Sequence, residues 1–364
     1  MVNKLVFENL RHRPVRTCLS VLAIGVEVAM MLTLVGISYG TLHEAARRAR
    51  GVGADILVRP PASSIISLSS SPMPEKLVPF LMKQPHVTFA TGTMGQPLGG
   101  FDVLTGIDLP QFNRLSGGFH FLKGGPFQKD DDLIVDEYYA RERKLNVGNT
   151  ITLANHPWRV SGIFESGKLS HLCARLSVLQ SLTGNPGRLS QIYLKVDDPA
   201  RTRAIVDQLR DRMPGYSIYT MEEFTSLLTI NSVGLLRNFI AAVIGIALIV
   251  GFITVTMAMY TAVLERTREI GILKALGASS GYIMNLLFRE TLSIAVLGCV
   301  LGIVMTCGSK WLMMHAAPAS LAQETVYGWW PIASGVSVIG ALSGAILPAW
   351  KAVQQDVIQA LAYE

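Results

Sequence analysis

Few groupings in these 364 residues have the types and spacing that chemistry requires. The run from Gly162, GIFESGKLS, sets Gly162, Gly167 and Lys168 at the spacing of a phosphate-binding loop, but Leu169 stands where a hydroxyl must hold Mg²⁺. It is therefore not read as a nucleotide site. Asp130, Asp131 and Asp132, followed by Asp136 and Glu137, could serve a metal or an acid–base pair, but a solvated acidic turn before a strand is the expectation. His12, His43, His86, His120, His156, His171 and His315 show neither H-x-x-x-H nor H-x-x-E-H spacing. No metal site and no catalytic residue are expected, and no Ser/His/Asp set follows from spacing.

Glu27 is the exception. It lies inside SVLAIGVEVAMM, and an ionisable group at membrane depth is costly enough to suggest function by default. Two readings stand: contact with a polar or metal-bearing headgroup, with Met30 and Met31 beside it, or a protonated or hydrogen-bonded carboxyl facing another helix.

A second charged feature, LERTREIGILKALGASSGYIMNLLFRE over residues 264–290, sits between two apolar runs. Ile270, Ile272, Leu273 and Leu276 form a stripe near helical spacing, opposite Arg268, Glu269 and Lys274. Glu265 with Arg268, and Arg266 with Glu269, make i,i+3 pairs that support a short exposed helix. Gly277 suits a left-handed helix end, and Ser279 or Ser280 a cap for the next helix. These residues alone leave open whether the hairpin is a juxtamembrane linker or a docking element.

The elements around these features belong to a membrane. Half of the residues are hydrophobic, 16% are charged, and the mean hydropathy is +0.37. Runs of roughly 20 apolar residues, enough to cross a bilayer core, occur at 18–40, 235–263, 292–314 and 330–350. The first is too long for the apolar part of a signal peptide and is followed by no clean cleavage site. Lys and Arg cluster in the segment 1–17 and in the 264–290 loop, while the short loop 315–329 has none. Both termini, 1–17 and the tail 351–364, are thus expected on the cytoplasmic side. Arg47, Arg48 and Arg50 argue otherwise, but a loop of that length translocates largely regardless of charge. Tyr327, Trp329 and Trp330 suit an interfacial belt at the outer end of the fourth span. Val2, Leu5, Val6 and Leu10 oppose Lys4, Glu8 and Arg11, as in a helix lying on the membrane surface. The net charge of +6 is modest and sits at span flanks, so the bilayer, and no nucleic acid, is the expected neighbour. Three of the four cysteines fall in apolar runs, which argues against a disulfide framework.

Residues 41–230 are long enough to bury a core of their own. Strands are predicted at 54–60, 132–137, 149–154, 158–165 and 191–197, and helices at 74–84 and 198–213, the latter with Asp198 as cap and Pro199 in its first turn. Asn155, His156 and Pro157 read as a hairpin turn. The Ser-rich, Pro-bounded stretch 61–72 reads as a loop, either linker or partner-facing tip. The predicted fold class is a four-span α-helical membrane protein with a mixed α/β extracytoplasmic domain between the first and second spans. Gly36 and Gly40, Gly298 and Gly302, and Gly340 and Gly344 have spacing that permits close helix approach.

The stretch ERTREIGILKALGAS, the ending LPAWKAVQQDVIQALAYE and residues 124–167 of the insert together resemble the FtsX-like, MacB-type ABC transporter permease family over nearly the whole chain. The resemblance implies that 264–290 is a coupling segment seated on a cytoplasmic ABC ATPase subunit. Its motif falls on Glu265, Arg266, Glu269, Gly271, Lys274, Gly277 and Ala278, with Arg268 between them. Glu265 and Arg266 would be polar contacts, and Gly271 and Gly277 would allow close approach. It further implies two ATPase copies, which hold the ATP and Mg, no cofactor on this chain, and a second copy of the permease or a close paralogue. The first, second and third spans would line the dimer seam. A periplasmic adaptor stays open. The implied function is an exporter subunit in the bacterial cytoplasmic membrane that uses mechanotransmission to move an amphiphilic or hydrophobic substrate. The alternatives are an FtsX-like regulator of a cell-wall hydrolase that transports nothing, and a membrane-tethered enzyme. Glu27 departs from the small or apolar residue the family has at that point.

Overall fold

Away from water a backbone must bond to itself, so the uncharged runs form continuous helices. The computed structural model describes residues 14–61, 63, 72–99, 102–229, 234–316 and 322–354. Most of the expected surface helix at 1–17, most of the Ser-rich stretch and the tail beyond Gln354 lie outside these residues. Among the described residues four helices are long and apolar enough to cross a membrane: Pro14–Gly51, Gly234–Glu265, Ser280–Ala316 and Trp329–Gln354. They exceed the spans read from hydropathy because charge at a helix end does not stop its hydrogen bonding. The first, with 38 residues, is about 57 Å long at 1.5 Å per residue.

Contacts divide the chain into a membrane unit of Met1–Ser38, Leu235–Leu312 and Gln323–Glu364, and an outer unit of Tyr39–Gly234 with Met313–Ala322. In the membrane unit small residues set how closely helices approach, since lipid offers no hydrophobic drive between them. A Cβ at Gly298 would lie 2.7 Å from Ile24, and one at Gly302 would lie 2.7 Å from the Gly25 carbonyl, so the third span rests directly on the first. The fourth span buries Ala333, Ser337, Gly340, Ala341, Gly344, Ala345, Pro348, Ala349 and Ala352, a small-residue face at helical spacing. Gly344 meets the second span, where Thr256 donates to its carbonyl at 3.0 Å. These two glycine pairs are thus used between spans of one chain. At the outer end, the backbone of Glu324 donates to Gly36 O at 3.0 Å, and the Tyr327 and Trp330 rings meet at 5.1 Å.

The outer unit is built on strands β1 (Ile56–Arg59), β2 (Met73–Pro74), β3 (Val87–Gly99), β4 (Asp102–Ile107), β5 (Phe121–Gly124) and β6 (Asp132–Asp136). It continues with β7 (Thr150–Leu153), β8 (His156–Phe164), β9 (Leu172–Arg175), β10 (Arg188–Leu189), β11 (Gln191–Val196) and β12 (Ser217–Thr220). Ten of these form one mixed sheet in the order β12-β1-β11-β3-β4-β9-β6-β8-β5, with β7 also on β8, and β2 pairs with β10. β4 with β9 and β6 with β8 run parallel; the other ladders are antiparallel. β1, β6 and most of β11 are buried on both faces, which is why they read as continuous apolar runs. Helices Leu77–Met82 and Thr202–Arg212 cover one core with Ile56, Val58, Ile192 and Leu194. Trp158, Leu133, Val160 and Leu179 fill another, and the Trp158 indole donates to Leu153 O at 3.2 Å.

Two expectations are corrected here. The β7–β8 turn is Ala154–Asn155, both at positive φ (50° and 60°), with His156 and Pro157 already in β8 opposite Leu153 and Thr152. A two-residue hairpin needs left-handed backbone at both positions, and Asn tolerates it. The acidic run is not a solvated turn throughout, because Asp132 and Asp136 are buried. Asp132 accepts from the Gln128 and Lys129 amides at 2.7 and 2.8 Å and pairs with Arg159 at 2.7 Å. Asp136 caps helix Glu137–Glu142 through Tyr139 N at 2.8 Å and meets His171 at 2.5 Å.

Candidate functional site

The charged segment folds as an elbow. The second span helix ends at Glu265, Arg266 breaks the helix with φ −111 and ψ 17, and a nine-residue helix follows over Thr267–Ala275. Gly277 stops it at φ +91, with its amide on Lys274 O and the Ala278 amide on Leu273 O, both 2.9 Å. Those two bonds are the Schellman pattern, which satisfies carbonyls the helix end leaves over. Ser279 then caps the third span helix, accepting at Oγ from Tyr282 N at 3.3 Å. Both the glycine stop and the serine cap are where the sequence puts them.

The elbow helix has two faces. Thr267, Ile270 and Gly271 are buried in the membrane unit. Arg268, Glu269, Ile272 and Leu276 are exposed, Leu276 at 80%. Arg268 and Glu269 make no ion pair among the described residues, so the expected pairing within the helix does not form. Arg266 instead turns inward and donates from Nη1 to Glu290 Oε2 at 3.0 Å, and Arg16 Nη2 donates to the other oxygen at 3.1 Å. Arg16 also reaches Glu265 at 3.5 Å. Removing one partner of a buried pair leaves an uncompensated charge, which is why these guanidiniums stay with Glu290. Lys274 points away from the exposed stripe and donates to Val353 O, 2.5 Å away near the end of the fourth span helix, where a cation is favoured. Ala278 is half-buried beside the cap.

The second set of predicted residues is not brought together. Glu27 and Met31 face inward, while Met30 is 43% exposed. Ser337 of the fourth span donates to Glu27 Oε1 at 3.4 Å, and a side chain at Gly251 of the second span would collide with the carboxylate. Glu27 thus occupies a polar seat between helices, the arrangement of the second reading given above.

Sequence reasoning passed over Arg16, Glu290, Gly251, Ser337 and the Val353 carbonyl. Glu290 had a signal: an ionisable group at the head of an apolar run meets the same rule that singled out Glu27. A loop boundary drawn at residue 290 hid it.

Among the described residues no other group is placed for catalysis. Lys168 is held by the Ser116 O and Gly118 O carbonyls, the first at 2.9 Å, and burial lowers its pKa despite nearby Glu165. Burial pushes the Cys173 thiol up to about 12, so it is not a thiolate at neutral pH. No group of His, Cys, Asp and Glu among the described residues could hold a metal ion.

Comparison with known proteins follows the same division of the chain. Residues 17–212 match the model of the MacB-like periplasmic core domain, and residues 241–357 match that of the FtsX-like permease C-terminal region. The first alone covers more than half of the sequence. The chain belongs to the MacB-like, FtsX-like permease family. Relatives include an uncharacterized ABC transporter permease, YknZ, of Bacillus subtilis, 27% identical over 64% of this chain and 61% of that one. The macrolide export ATP-binding/permease protein MacB of Acinetobacter baylyi is 25% identical over 97% of this chain and 58% of its own. The chain spans about three fifths of the length of such relatives. Among solved structures, the periplasmic region of MacB from Actinobacillus actinomycetemcomitans aligns at 18% identity and TM-score 0.38, over 49% of this chain and 94% of that one. The elbow, Glu290 and Ser337 fall within the FtsX-like permease region, and Glu27 within the MacB-like match.

Proposed function

We propose that this chain is the permease subunit of an ATP-driven exporter, in which the elbow docks on a cytoplasmic ABC ATPase. The observation that carries this reading is the exposed elbow face. Arg268 and Glu269 stand beside exposed Ile272 and Leu276, on a helix capped at its far end and seated through its other face. A short stiff helix with an apolar anchor and charges of both signs suits a groove on a protein partner. Family membership supplies the partner class. Two such subunits need two elbows, hence two permease copies related by symmetry.

In this reading the two ATPases close on ATP and Mg, the elbows move, and the spans carry the motion to the outer unit. The cargo is amphiphilic or hydrophobic and enters at the outer leaflet or from the periplasm, with the chain in a bacterial cytoplasmic membrane and its termini inside. The test is co-reconstitution with the ATPase in vesicles. Leu276→Asp and Ile272→Asp, which change only exposed positions, should reduce ATPase binding and vesicle transport together by about tenfold or more. Retention of both activities rejects the docking role. ATPase stimulation with no transport of any amphiphile favours the hydrolase-regulator alternative.

A further inference from the structure

Arg266 is the single residue between the second span helix and the elbow helix, and its amide bonds Val263 O at 3.2 Å, three residues back instead of four. The helix is therefore interrupted where a moving elbow would load it, and another contact must fix its angle. Glu290 does so from the third span. Its side chain is 0% exposed, and each carboxylate oxygen accepts from a different guanidinium, Arg266 of the bend and Arg16 of the first span, at 3.0 and 3.1 Å. The neighbouring Thr291 hydroxyl is spent on Leu287 O at 3.0 Å and does not compete. A carboxylate has two equivalent acceptors in one plane, and charged bonds of this kind are directional. An amide in its place would offer one oxygen and turn a donor toward an arginine.

We propose that Glu290 is a positioning residue that clamps the bend at Arg266 to the first and third spans, so that elbow displacement moves these spans instead of being absorbed at the bend. This rests on the elbow being the ATPase-docking element, but the clamp can be measured without a partner. Spin labels at exposed Leu22 and Leu276, with the exposed Cys18 and Cys307 replaced by serine, report elbow against first span in the full-length chain in detergent or lipid. Wild type should give one narrow distance distribution, and Glu290→Gln should widen it about twofold. With the ATP-binding subunit retained by the wild-type chain, Glu290→Gln should lower stimulated kcat about tenfold while the subunit's apparent Kd stays within about threefold; Glu290→Asp, which keeps the charge, should recover most of it. A residue that merely held the fold would lose Kd and kcat together, and that result overturns the clamp, as do unchanged widths. Arg16→Gln, altering a partly exposed partner, carries the same test if Glu290→Gln does not fold. A wild type that stimulates no ATPase overturns the docking reading, and the distance widths still decide the clamp.

Discussion

Arg266 and Glu290, 24 positions apart, meet at 3.0 Å with almost no solvent on either side chain. Such a pair contributes little net stability, because desolvation cancels most of its attraction, yet breaking it is expensive. Arg266→Met leaves Glu290 with Arg16 and should destabilise the chain by about 1.5–3 kcal/mol, the scale of a charged hydrogen bond, and adding Glu290→Met should not recover the loss, because Arg16 then loses its buried partner. Thermal unfolding in detergent checks both; a single variant as stable as wild type would show the pair to be solvated.

Gly277 at φ +91 should tolerate Asn and resist Val. A left-handed residue with a Cβ costs about 1–2 kcal/mol, and branching adds to it. Amide exchange at Gly277 and Ala278, whose protons close the elbow, should rise several-fold in Gly277→Val and little in Gly277→Asn. Equal protection in the two variants would mean the cap is not what ends the helix.

The contact between first and third spans has no room at Gly298 and Gly302, whereas nothing lies within 4 Å of a Cβ placed at Gly308. Overpacking typically costs about 1–3 kcal/mol. Gly298→Val and Gly302→Val should each lower the melting midpoint by several degrees, and Gly308→Val should leave it alone. A uniform response to all three substitutions would argue against this packing.

Burial opposes the charge on Asp132, but the Lys129 and Gln128 amides and Arg159 outweigh it and hold its pKa below the usual 3.8. The unfolded chain then binds the proton more readily, so the stability from this group is complete above about pH 3.8 and disappears as pH falls through the folded value. Asp132→Asn should cost about 2 kcal/mol at neutral pH, the scale of a charged hydrogen bond. The gap from wild type should narrow as the pH falls below 3.8. Midpoints measured down the pH scale test this, and a gap constant to the acid end contradicts it.

The sequence revealed what depends on local pattern. The four spans follow from run length, the glycine stop and serine cap of the elbow from residue type, and strands such as 191–197 from β-branched runs. Charge placement was less legible. Glu265–Arg268 and Arg266–Glu269 look paired by spacing, but a buried carboxylate in the third span outcompetes exposed neighbours for Arg266, and spacing along one helix says nothing about another helix. The same limit hid Ser337 and Gly251 around Glu27. Asp132 looked like part of a solvated turn because three adjacent aspartates give no sign of which one points inward.

The fully buried positions of the fourth span hold only alanine, glycine, serine and proline, with half-buried Trp330, Val336 and Val338 packed beside them. At the centre of that face the side chains are short, so a directional contact has more to do in setting its register against the second span. The Thr256 hydroxyl on Gly344 O supplies such a detent, and Lys274 on Val353 O fastens the elbow helix to the far end of the same rod.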